Sequence, residues 1–209
     1  MYNITWDTNY SDPKSVSTMT GGAKTNIEFL ISLFGLPSSI IEVGCFEGNT
    51  TFWLSDVITP HFPNLKIYSI DPHKGSIDMQ EDGETIHQRF VNNLTANTHK
   101  NVEYIRKNSD EGLIELYNRN VKAELIYIDG DHQSNTVLSD LVLSYKLLPI
   151  GGVLLCDDTG DWQYEDKNKT KAVQMSPRLA VEMFIACNWQ NIRPIVLPNA
   201  GQTAIQKIC

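Results

Sequence analysis

Three short stretches hold most of the residues whose types could do chemistry: "EVGCFEGNT" (42–50), "YIDGDHQSN" (127–135) and "CDDT" (156–159). The last two supply Asp129, Asp131, His132, Asp157 and Asp158, each close behind an apolar run of strand type. Carboxylates gathered on one rim repel one another unless a proton, a basic group or a cation neutralises them. Donors that are all oxygen favour Mg2+, Mn2+ or Ca2+ over zinc, so Asp129, Asp157 and Asp158 are candidate metal ligands. A cation held there would lower the pKa of a substrate hydroxyl. His132, with an ordinary pKa of about 6.5, could accept that proton near neutral pH. The bland alternative is an Asx-type turn that closes the strand. Successive strand residues face opposite ways, so Asp157 and Asp158 reach one ion only if the strand has ended at Asp157. Asp131 reads as a turn or helix-cap residue.

The first stretch spaces its glycines as Gly44-x-x-x-Gly48. That is neither the G-x-G-x-x-G turn of a dinucleotide site nor a P-loop, and Glu42 would repel a pyrophosphate. The turn suits a ligand that needs close backbone approach and carries a positive group, an ammonium or a sulfonium. Asp71, ending the next apolar run, is placed to accept hydrogen bonds from the two hydroxyls of a ribose. A nucleoside linked to an amino acid meets these demands together, and S-adenosylmethionine is such a molecule. Glu42 could instead be a charge that positions the turn, although a buried strand is an expensive place for an unpaired carboxylate.

The elements that would position these residues alternate strictly. Apolar, β-branched runs at 38–44, 65–71, 101–107, 123–129 and 151–158 read as strands. Helical spacing covers 23–35 (with Gly35 as a stop), 49–58 (capped by Asn49 or Thr50), 84–97, 109–119, 134–148 and 177–188. The tail reads as two more strands joined at "PNAG", with Pro194 and Pro198 suited to a sheet edge or strand ends. The predicted fold is therefore α/β: a doubly wound, mostly parallel seven-stranded sheet with a C-terminal antiparallel edge strand. In such a sheet the ligand lies at the carboxyl ends of the strands, near the switch point, where all the acids named above fall.

In order and spacing, "IIEVGCFEGNTTFWL", "IYSIDP", "RKNSDEGL" and "YIDGDHQSNTVLSDLVLSYKLLPIGGVLLCDD" resemble the class I S-adenosylmethionine-dependent methyltransferases. Within that class they are most similar to the small, metal-dependent catechol, caffeoyl-coenzyme A and macrolide-sugar O-methyltransferases. The resemblance implies that Glu42, Gly44 and Gly48 line the methionine part of the cofactor, that Asp71 takes the ribose, and that Asn108 and Ser109 edge the adenine. It implies Asp129 as first metal-binding aspartate, contributing to both cofactor and catalytic sites, Asp157-Asp158 as the second metal pair, and His132 as the general base.

With 209 residues, 41 % hydrophobic and 20 % charged, the chain is expected to form one soluble domain, with an N-terminal arm (1–22) and a loop near the active site (159–176). A net charge of −8 with scattered basic residues argues against nucleic acid or an anionic membrane as partner. Four unspaced cysteines and the lack of a signal-peptide pattern point to a reducing, cytoplasmic setting. The other histidines, His61, His73, His87 and His99, are expected to be solvated, and Trp162 and Tyr164 could wall an acceptor pocket. The expected activity is methyl transfer to a hydroxyl of a small molecule, a sugar or diol, with a homo-oligomer as one option. A nicotinamide-dependent oxidoreductase, an antibiotic-type hydroxylase and a non-catalytic cofactor-binding protein are the competing readings.

Overall fold

Five runs of apolar residues become the parallel part of one sheet because they can be buried on both faces. In the computed structural model, which describes residues 21–35, 37–75, 82–96, 99–160 and 174–209, these are β1 (Ser39–Val43), β2 (Lys66–Ile70), β3 (Val102–Ile105), β4 (Leu125–Ile128) and β5 (Val153–Cys156). Every residue of β1, β4 and β5 is buried, as central strands of a helix-covered sheet must be. The C-terminal strands β6 (Ile192–Ile195) and β7 (Thr203–Lys207) complete seven strands in the order β3-β2-β1-β4-β5-β7-β6. The predicted antiparallel strand is β7, which pairs in reverse with both β5 and β6. It lies one place in from the edge, and β6, carrying Pro194 where no central ladder needs its N–H, takes the edge itself.

Alternation along the strands sorts the core into two halves. Ile41, Val43, Ile126, Ile128 and Leu154 pack with α4 (Ser109–Asn118), α5 (Ser134–Leu147) and α6 (Pro177–Asn188). Ile40, Leu125, Tyr127, Val153 and Leu155 pack on the opposite face with α1 (Gly21–Phe34) and the helical segment after β1. The last helix, α3 (Gly83–Ala96), follows β2. Gly35 ends α1 as predicted, in the left-handed conformation (φ 87) with its N–H on Ile31 O. The helix over 49–58 is less regular than its spacing suggested. α2 covers Asn49–Trp53 and gives way to a π-helical turn at Leu54–Ile58. Its cap is Gly48 rather than Asn49 or Thr50, because the glycine turn already aims Gly48 O at Phe52 N (2.8 Å).

Candidate active site

The chain winds one way through β1, β2 and β3, then returns to place β4 on the other side of β1. The crevice at that switch point lies between the carboxyl ends of β1 and β4, and two residues make it narrow. Asp129 N donates to Val43 O at 2.8 Å, stitching the strand ends together. Gly44 (φ +84) lies so close that an added Cβ would stand 2.2 Å from Asp129 O and 2.4 Å from Gly130 Cα. Only glycine fits that approach.

Asp71, at the end of β2, uses its carboxylate on this turn. One oxygen accepts from Cys45 N (3.0 Å) and Phe46 N (2.9 Å), the other from His73 N (2.7 Å). A carboxylate offers about four acceptor positions, so most of Asp71's capacity is committed before any ribose arrives. Two buried acids that flank the glycines also fasten the turn. Glu47, fully buried, is paired with Arg89 of α3 at 2.5 Å. Glu42 accepts from Thr51 Oγ1 of α2 and, at 3.4 Å, from Ser69 Oγ of β2. Burial pushes the Glu42 carboxyl up to about 8, with the Asp71 charge adding to it. Glu42 therefore sits beneath the turn, bridging β2 and α2.

Asn108 caps α4 and accepts from Lys74 Nζ at 3.1 Å. With Pro72, His73, Lys74, Arg106, Lys107 and Glu111 it lines a cleft of about 280 Å3 next to the turn. Ser109 opens α4, and on α5 burial pushes the carboxyl of Asp140, whose oxygens have no hydrogen-bond partner among the described residues, up to about 7.

On the other side of the crevice, β4 and β5 run in register with Ile128 beside Cys156. The next residues, Asp129 and Asp157, therefore stand level on neighbouring strand ends, both on the Tyr127 and Leu155 face. β5 has ended at Cys156, which meets the condition set from the sequence. Tyr127 donates its hydroxyl to Asp129 Oδ2 (2.8 Å) and to Asp157 Oδ2, and Gln202 Nε2 of the C-terminal hairpin also reaches Asp157 Oδ2 (2.9 Å). One hydroxyl proton cannot neutralise two carboxylates. Crowding by protein and repulsion from Asp157 hold the Asp129 carboxyl well above its usual range, although the residue is open to solvent at the rim. Burial raises Asp157 as well, with Asp158 adding to it. Asp158 takes a left-handed turn (φ 55) and meets His132 Nε2 at 2.7 Å. Two of the three expected ligands thus face each other, while the third is joined to the expected base. Asp131 accepts from Gln133 N and Nε2, both at 3.1 Å, the turn role predicted for it.

Sequence reasoning missed Tyr127, Gln202, Glu47, Arg89 and Asp140. A tyrosine in an apolar run and a glutamine in a tail carry no signal, because their partners come from distant strands. His73 and His99 also overturn an expectation. They are 5 % and 6 % exposed, not solvated, because aromatic neighbours from α2, α3 and β3 close over them. Trp162 and Tyr164, most of the 159–176 loop and most of the 1–22 arm lie outside the described residues. All four cysteines are free thiols, and among the described residues no helix is long and apolar enough to cross a membrane.

Comparison with known proteins bears on the family and the fold. A curated relative, the uncharacterized protein R132 of Acanthamoeba polyphaga mimivirus, is 30 % identical over 135 residues, 59 % of this chain and 52 % of the relative. The chain thus spans about half the length of the curated relative it matches. Among solved structures, the O-methyltransferase from Bacillus cereus in complex with S-adenosylhomocysteine superposes with a TM-score of 0.65 at 19 % identity, covering 92 % of this chain and 83 % of that one. MycE, the methyltransferase of the mycinamycin biosynthetic pathway solved with Mg, S-adenosylhomocysteine and mycinamycin VI, superposes at 0.56 with 14 % identity, covering 87 % and 48 %. At such identities the likeness establishes the fold, the Rossmann-like sheet of class I methyltransferases. Residues 41–159, more than half of the chain and running from within β1 to just past β5, match the methyltransferase domain family, and the chain belongs to that family.

Proposed function

We propose that the protein is an S-adenosylmethionine-dependent O-methyltransferase, assisted by a divalent cation, that acts in the cytoplasm on a hydroxyl of a small molecule such as a sugar or diol. One observation carries this reading. The backbone-tight glycine turn and the Asp129–Asp157 corner open on the same crevice at the switch point. S-adenosylmethionine, held there, supplies an electrophilic methyl on a sulfonium. The turn offers it close backbone approach with no phosphate cradle, and Asp71 with the Asp129–Asp157 corner gives the region the negative character that a cationic ligand needs. Asn108 and the cleft beside it suit the nucleoside end.

The acidic corner fits a hard cation by its donor chemistry. Its donors are all oxygen, two carboxylates face each other across one hydroxyl proton, and both carboxyls are raised, first by burial and then by neighbouring acids (Asp157 for Asp129, Asp158 for Asp157). Asp129 and Asp157 would hold the ion, with Asp158 beside them. A cation there supplies charge neutralisation and acidifies an acceptor hydroxyl. His132 stands against Asp158 in the base-and-orienter arrangement: when Nε2 carries the proton toward the carboxylate, Nδ1 is the basic nitrogen. Mg accompanies S-adenosylhomocysteine in MycE, which supports the same pairing here.

Calorimetric titration of the protein with S-adenosylhomocysteine, with and without Mg2+, tests the proposal. Saturable one-to-one binding is the expected result, and an absence of binding in both conditions sinks it. Methyl transfer that survives chelation would remove the cation, and full activity in His132→Ala would remove the base.

A further inference from the structure

We infer that His73 is a positioning residue for the cofactor, acting through the peptide of Phe46 in the glycine-rich turn; this rests on the cofactor-dependent function proposed above. Phe46 and His73 both adopt left-handed backbone conformations (φ 47 and φ 49), which bulky residues hold only when their surroundings impose it. The surroundings here are mutual. His73 Nε2 lies 2.6 Å from Phe46 O, while Asp71, two residues before His73, takes Phe46 N–H at 2.9 Å. Both polar atoms of the Phe46 residue are thus held from the segment after β2.

The protonation of the ring follows from its partners. A carbonyl can only accept, so Nε2 carries the proton, and Nδ1 lies 2.7 Å from the Tyr104 hydroxyl, whose single proton it shares with Asp71 O at 3.3 Å. Asp71 receives the His73 backbone N–H at 2.7 Å, which closes the circuit. The imidazole is buried among Phe90, Tyr104 and His87, with ring centroids 5.3–5.5 Å away, so water does not compete for it. Cys45, Asp71 and His73 also bring ligand atoms within 4.8 Å of one another, as a soft cation would need. Tyr104 already meets the Nδ1 lone pair, however, so the geometry is that of a hydrogen-bonded clamp. Without His73, Phe46 O loses its buried donor and the strained peptide can relax. The turn that Gly44 brings against Asp129 then loses its fixed shape. Preorganisation of this kind is expressed as ligand affinity.

The test is calorimetric binding of S-adenosylhomocysteine to the full chain, alongside thermal melts. In folded His73→Ala the affinity should fall about tenfold or more, and His73→Gln, whose side-chain amide can still donate to Phe46 O, should recover most of it. Tyr104→Phe, which removes only a hydroxyl and covers the case in which His73→Ala fails to fold, should weaken binding about threefold. Undiminished affinity in folded His73→Ala or in Tyr104→Phe overturns the inference, as does a His73→Gln protein no better than His73→Ala. Uptake of one Zn2+ that is lost in Cys45→Ser would also overturn it, by making His73 a ligand. If the wild-type chain itself does not bind S-adenosylhomocysteine, the proposed function fails and this inference with it. Binding by wild type and variants alike removes the inference alone.

Discussion

The turn from Gly44 to Gly48 and the corner formed by Asp129 and Asp157 share one crevice, but they treat their acidic groups differently. Each acid around the turn is engaged by a donor from another element: Asp71 by Cys45, Phe46 and His73 backbone N–H groups, Glu47 by Arg89, Glu42 by Thr51 and Ser69. At the corner, Asp129 and Asp157 face each other and share Tyr127, with Gln202 as the added donor. Satisfied polar groups make a rigid scaffold, whereas under-neutralised ones store repulsion that a ligand can release. The turn is thus a preformed cradle, and the corner gains most from what binds there.

Breaking the turn should have the largest effect. Gly44→Ala must displace backbone of Asp129 and Gly130 and strain a positive φ, with no flexible side chain to give way. We expect a loss of stability of about 3 kcal/mol or more and no detectable S-adenosylhomocysteine binding, measured by urea unfolding and calorimetry. Near-normal affinity would show that the cradle is not preformed.

Glu42 probes the same region through pH. Its folded-state carboxyl is raised to about 8, above its ordinary value, so the stability it contributes is present at acid pH and is lost as pH climbs through about 8. Glu42→Gln removes that dependence. The stability advantage of the variant over wild type, measured by urea unfolding, should widen between pH 6 and pH 9 toward a few kcal/mol, since each tenfold change in proton affinity is worth about 1.4 kcal/mol. A gap that stays constant with pH would place Glu42 in an ionised pair instead.

The corner gives smaller changes in stability and opposite ones. Asp129→Asn relieves repulsion, so the cation-free protein should become slightly more stable at pH 8, the gain being limited by solvent screening at this exposed residue. Addition of Mg2+ should raise the melting temperature of wild type but not of this variant. Asp131→Ala, which loses only a local turn contact, should alter neither the Mg2+ response nor, beyond about 0.5 kcal/mol, the stability. An Mg2+ response that survives Asp129→Asn would erase the contrast between the two regions.

Much of this was legible in the residues. Apolar β-branched runs leading to Gly44, Asp71, Asn108, Asp129 and Asp157 located five strand ends, and their alternation with helical spacing placed those ends on one rim. Asp131 and Gly35 showed their roles because Asx turns and left-handed helix stops are local events within a few residues. His73 was misread as solvated because nothing beside it in sequence reveals that Phe90 and Tyr104 close over it. That Asp71 also holds the turn could not be read from the sequence, since the backbone N–H groups of Cys45 and Phe46 reach it only after β1 and β2 pair.

The amino-acid order alone therefore determined the element sequence, the sheet's class and which acids reach the crevice, because periodicity and turn chemistry act over short range. The tertiary structure decided how each charge is used. It placed β7 inside β6 and so brought Gln202 to Asp157. It also set Tyr127 between two aspartates, joined Asp158 to His132, and locked the glycine turn through Asp71 and His73. Those pairings depend on strand register and on side chains that meet across distant segments, where hydrogen-bond geometry has to be satisfied in three dimensions.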